Sequence, residues 1–159
     1  MVKRIHFAAI AAIAFAASAN ASAGLTLNFA NTEKMADVPR HQGDREFMEE
    51  QFRELFDTLS SKLPAGQQLR VDIIDVDLAG EVFPRVAIQN VRVMKGRIDP
   101  PRIHLRYSIE QDGKVLNSGE RKLVDHSYQS AFNRYSNELY AHEKQLIENW
   151  FHKEFKVPR

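Results

Sequence analysis

The chain has 159 residues, no cysteine, one tryptophan and six histidines, with 22 Lys+Arg against 21 Asp+Glu. That length allows one domain with a substantial core, and 43% hydrophobic with 27% charged residues excludes a largely disordered chain. Without sulfur ligands there are no disulfides, thiol nucleophiles, cysteine-held metals or lipobox anchor, and a net charge of +1 gives no bulk attraction for nucleic acid or an anionic membrane.

The first residues carry an address. Lys3 and Arg4 precede an apolar run from Ile5 to Ala19, and Ala19-Asn20-Ala21 and Ala21-Ser22-Ala23 both place small residues where signal peptidase requires them. The run is too short to cross a bilayer and lacks a stop-transfer flank, so residues 1–23 are expected to be a secretory signal peptide, cleaved after Ala21 or Ala23. Residues 24–159 are then one exported domain with no later membrane span. The signal has a bacterial look, which places the domain in the periplasm, with secretion as the alternative. Such a domain depends on packing alone, since no disulfide supports it.

Leu25-Thr26-Leu27-Asn28-Phe29 alternates apolar and polar residues and predicts a short strand, followed by a loop from Asn31 to Gly43. From Asp44, the expected N-cap, Phe47, Met48, Phe52, Leu55, Phe56, Leu59 and Leu63 recur at three- and four-residue steps. That spacing is one stripe of a helix, which Pro64 and Gly66 end. Leu69 to Leu78 predicts a second strand with a fault in its pattern. Leu69, Val71 and Ile73 share one parity while Ile74, Val76 and Leu78 share the other, so a bulge or a change of buried face is expected at Ile73-Ile74. A turn at Ala79-Gly80-Glu81 leads into a short extended or irregular stretch from Val82 to Val93.

Beyond Gly96 and Pro100-Pro101 the alternation is cleanest. Ile103, Leu105, Tyr107 and Ile109 face one way, and Arg102, His104, Arg106, Ser108 and Glu110 face the other. Asp112-Gly113 predicts a two-residue hairpin, because both central residues of a type I′ turn take positive φ. That turn pairs Glu110 with Val115 and Ile109 with Leu116, and the return strand runs to about Leu123-Val124. Asp125 to Tyr135 reads as a loop with a helical turn or two. Ser136 or Asn137 is the expected cap of a last helix, with Leu139, Tyr140, Leu146, Ile147, Trp150, Phe151 and Phe155 as its stripe. The order predicts an α+β two-layer sandwich: a mixed sheet of four to five strands with two long helices on one face. The first strand and the Leu69 strand should run parallel through a right-handed crossover.

Several runs carry a family likeness. Leu27-Asn28-Phe29-Ala30-Asn31, Glu33-Lys34-Met35-Ala36-Asp37, Asp75-Val76-Asp77-Leu78-Ala79-Gly80-Glu81, Pro101-Arg102-Ile103 leading to Leu105-Arg106-Tyr107, and Glu143-Lys144 with Trp150-Phe151 resemble the bacterial DUF3016 family. The resemblance spans nearly the whole chain after the leader. It implies a small exported protein with the family's fold, and it brings no catalytic residues, since the family has no assigned activity.

Three constellations bear on chemistry. Asp75, Asp77 and Glu81 around Gly80 resemble an oxygen-rich calcium loop, but Ala79 and Val86 stand where further ligands belong, so no metal or cofactor is assigned. Arg102, His104 and Arg106 share the exposed face of the neighbouring strand candidate. If the two strands pair, the rows meet as cross-strand ion pairs of about 0.2–1 kcal/mol each. The same face, uncovered by helices, offers Arg102 and Arg106 to a carboxylate or phosphate, or docks a partner. Catalytic patterns are wanting. There is no nucleophile elbow, phosphate loop or dinucleotide fingerprint. His142-Glu143 has Leu146 where a zinc helix needs its second histidine, and His126 beside Ser127 and Tyr128 is a base–hydroxyl pair by adjacency only. The sequence therefore reads as a non-enzymatic envelope module that binds a protein or a small polar ligand through Asp75, Asp77, Glu81, Arg102, His104 and Arg106. A hydrolase built on the Asp75/Asp77 pair, metal-dependent or acid/base, is the alternative.

Overall fold

The computed structural model describes residues 23–83 and 92–159. The expected signal peptide, apart from Ala23, lies outside the described residues, as do Val86 and most of the stretch from Val82 to Val93. Strand β1 (Gly24–Phe29) leads through a 3-10 turn at Thr32–Lys34 to helix α1 (Gln42–Ser60) and strand β2 (Gln68–Asp77). A ribbon of β3 (Glu81–Val82) and β4 (Arg92–Val93) follows, then the hairpin of β5 (Arg102–Gln111) and β6 (Lys114–Val124), and helix α2 (Ala141–Phe155). The main sheet has the order β1-β2-β5-β6, with β1 and β2 parallel and the other pairs antiparallel. It is the mixed α+β arrangement that the sequence predicts. Among the described residues no helix is long and apolar enough to cross a membrane.

One sheet face builds the core. Leu27, Leu69, Val71, Ile73, Val76, Ile103, Leu105, Tyr107 and Ile109 are buried there, with Met48, Phe52, Phe56 and Leu59 from α1 and Leu146, Ile147, Trp150 and Phe151 from α2. Burying each such side chain contributes about 1.5–3 kcal/mol. The fault in β2 is a bulge: the register passes from Ile73 opposite Leu105 to Asp75 opposite His104, leaving Ile74 as the extra residue. The bulge restores Val76 and Leu78 to the core face despite their opposite parity, and both are buried.

Four expectations are corrected. Helix α1 starts at Gln42 with His41 as its N-cap, so Asp44 lies inside the first turn, where its charge still suits the helix dipole. Phe47 leaves the stripe at 47% exposure, because its neighbour Met48 already aligns with Phe52, Leu55, Phe56 and Leu59. Helix α2 starts at Ala141 rather than beside Ser136 or Asn137, since Tyr140 sits at φ 57°, a left-handed backbone that no α-helix contains, and Leu139 is exposed before it. The hairpin has the expected turn, with Asp112 at φ 53° and Gly113 at φ 72°, and Glu110 opposite Val115. Ile109, however, pairs with Asn117, because Leu116 is a second bulge and turns out to solvent.

One polar knot fastens the hairpin to α2. The Tyr107 hydroxyl donates to Glu154, and Arg121 grips the same carboxylate through Nε at 2.9 Å and Nη2 at 2.8 Å while its guanidinium lies over the Tyr107 ring. Partial burial works against ionisation of Glu154, but the hydrogen bonds from Arg121 and Tyr107 outweigh it and hold the carboxyl below its ordinary range.

Candidate functional site

The face of the sheet turned away from the helices collects the charged residues. In the β2–β5 register Asp72 stands opposite Arg106, Asp75 opposite His104 and Asp77 opposite Arg102. Only one of these pairs closes directly: Arg102 Nη1 donates to Asp77 Oδ2 at 2.7 Å. Asp75 accepts the Ala36 N–H at 2.7 Å, holding the chain after the 3-10 turn beside β2, where Asp37 N–H reaches Val76 O and Leu78 N–H reaches Asp37 O. Asp72 accepts from Asn28 Nδ2 at 2.8 Å. His104 and Arg106 turn the other way, to Glu120 on β6, at 2.7 Å and 2.9 Å. Arg106 first and His104 second hold the Glu120 carboxyl below its ordinary range through these bonds. The side chains of Arg102 and Arg106 keep half or more of their surface in water, so the ion pairs themselves add little stability.

Glu81 is not on this face. It belongs to the β3–β4 ribbon, where Lys95 binds it. The sequence-predicted set is therefore split, five residues on the open face and one beside a cleft. Glu120, which binds both His104 and Arg106, is the neighbour that no sequence motif marks. The signal for it is parity: once the Leu116 bulge is counted, residue 120 falls opposite Arg106.

The cleft, about 920 Å³, opens where β2 ends, between the starts of α1 and α2 and the β3–β4 ribbon. Arg92 braces its wall. Its guanidinium binds Asp37 and donates to the carbonyls of Leu78, Ala79 and Gly80 at 3.1, 2.9 and 2.8 Å. Glu143, in the first turn of α2, is 3% exposed and accepts the Ala79 N–H at 2.7 Å. Burial raises its carboxyl above the ordinary value of 4.5, against the pull of that bond. With the native value raised, the folded state holds a proton that the unfolded state has already released. Stability should accordingly fall as pH rises from 4.5 toward the native value. Glu143→Gln, which keeps an acceptor for Ala79, should flatten that slope in melting curves taken across the window; a variant with the wild-type slope would contradict it.

The Tyr128 hydroxyl, near His126 in sequence, is engaged elsewhere. Tyr128 is buried and donates to Asp99 at 2.8 Å, with burial first and that bond second pushing its pKa up to about 12. Its ring meets His142 edge-on at 4.7 Å, and His126 is exposed. Among the described residues no group of three or more His, Asp or Glu is placed to hold a metal ion.

These features define a small two-layer α+β domain with an open charged face and a separate cleft. The chain belongs to the DUF3016 family, described as a protein of unknown function, whose model matches residues 23–153. No curated protein matches it. Among solved structures the PelC dodecamer from Paraburkholderia phytofirmans is similar over 88% of each chain at 9% identity, with a TM-score of 0.39, too slight a likeness to bear on function.

Proposed function

We propose that this chain is an exported, non-enzymatic binding module of the bacterial cell envelope, and that its open sheet face receives an envelope protein or a small polar ligand. The leader-like residues 1–23 support export to the periplasm, with residues 24–159 as the working domain. One observation carries the binding reading. Arg102 and Arg106 stand on β5, between β2 and β6, half or more exposed, each anchored by a carboxylate on a neighbouring strand. Fixed, water-facing guanidinium groups bind carboxylates and phosphates in bidentate fashion with little loss of side-chain freedom.

Reversing both charges, R102E with R106E, should sharply reduce capture of the partner from an envelope extract. Both side chains lie outside the core, so the circular-dichroism spectrum should be unchanged and the melting point should drop only slightly. Undiminished capture by a folded double variant would remove this face as the binding surface.

A further inference from the structure

The cleft at the end of β2 is a second surface, separate from the open sheet face. Its mouth carries side chains that a solvated wall does not need: Phe47, Val82, Met94 and Leu139 are each more than a third exposed. They come from four different segments, α1, β3, the residue after β4 and the approach to α2, and the fold gathers them around one opening. Grouped apolar exposure of this kind marks an interaction site, whereas single exposed apolar residues are ordinary.

The charge of the lining selects among occupants. Of the carboxylates lining the cleft, Asp37 is paired with Arg92 and Glu143 is buried on the Ala79 N–H, while Glu81 and Glu138 stand at the rim; Arg40 and Arg92 are the lining guanidinium groups. Arg92 is engaged by Asp37 and the three backbone carbonyls, so its charge is turned into the wall. Lys95 and Lys144 reach Glu81 and Glu138 from outside the lining, yet those two carboxylates keep 62% and 51% of their side-chain surface in water at the rim. An apolar mouth with acidic lips complements a ligand that is apolar and basic.

We infer that this cleft docks a segment of a partner protein in which lysine or arginine alternates with apolar residues. The apolar side chains enter between Phe47, Val82, Met94 and Leu139, and the cations meet Glu81 and Glu138 at the rim. The two acids come from different elements, one on the ribbon and one before α2, so the segment meets a basic contact at each.

Random peptides displayed on phage and selected on the purified protein test this directly. Selected peptides should be enriched in Lys and Arg interleaved with apolar residues. Synthetic copies should bind about tenfold more weakly to the E81K/E138K variant, the loss expected from two exposed charge contacts. Phe47→Ala, at an exposed position, should also weaken them, and R102E/R106E should leave their binding unchanged. Failure of that last pair to bind an envelope partner would speak to the sheet face alone. Selection of acidic peptides, no enrichment over an unrelated protein, or binding indifferent to both Phe47→Ala and E81K/E138K would overturn the inference.

Discussion

Trp150→Ala should lower the free energy of unfolding by about 3–5 kcal/mol, the range for large buried aromatics. Trp150 is 7% exposed and is surrounded by rings: Tyr107 and Phe155 meet it edge-on at 5.5 Å, Phe56 and Phe151 at 6.4 Å. These partners come from β5, α1 and α2, so the indole is where the sheet and both helices meet. Alanine would leave a void bounded by three elements that cannot all close in on it, and a domain of this kind holds only about 5–15 kcal/mol in total. Trp150→Phe, which keeps most of the ring contacts, should recover the greater part of the loss. Urea titration of the three proteins measures it; an alanine variant with the wild-type midpoint would show that the indole is not part of the core.

Gly80→Ala is expected to cost about 1–3 kcal/mol from its backbone alone, since Gly80 sits at φ 75°, where a side chain is strained. The surroundings add to this. A Cβ there would lie 2.8 Å from the Val93 carbonyl oxygen, and a backbone atom held in the β3–β4 pair cannot step aside as a side-chain tip can. The displacement should also strip Arg92 of the Gly80 carbonyl and Gly80 N–H of Asp99 O, loosening the ribbon that walls the cleft. Thermal melting gives the overall loss, and hydrogen exchange at Glu81, Val82 and Val93 should speed up more than at the centre of β5. Equal protection in both places would mean that the ribbon does not depend on this residue.

Much of this architecture was legible in the residues because burial imposes a period. The alternation of Ile103, Leu105, Tyr107 and Ile109, the α1 stripe and the parity fault at Ile73-Ile74 each follow from one side being wet and the other dry. Where period gives no information, the reading slipped. The helix starts carry no sequence mark, because neither His41 nor Tyr140 makes a side-chain cap bond. An apolar Leu116 after a tight turn looks like a partner for Ile109, and an exposed bulge has no compositional mark. The charged rows are legible, but of their expected pairings only Asp77 with Arg102 closes. Parity says which face a carboxylate takes, while the choice between Asp75 and Glu120 for His104 depends on the reach of side chains across three strands. The cleft was invisible for a related reason, since Phe47, Val82 and Leu139 converge only when the chain is folded.

Among the described residues, strand β6 is the last in its sheet, and its eleven residues of backbone run along that margin without a neighbouring strand. An open margin of this length is a template on which other chains can add and aggregate. Here it is studded with Lys114, Glu120, Arg121 and Lys122 and broken by the kink at Leu116. Charges and a bulge on an edge strand disfavour the joining of like to like. Arg121 and Glu120 thus serve twice, since removing either loosens an internal tie and at the same time strips a guard from the exposed margin.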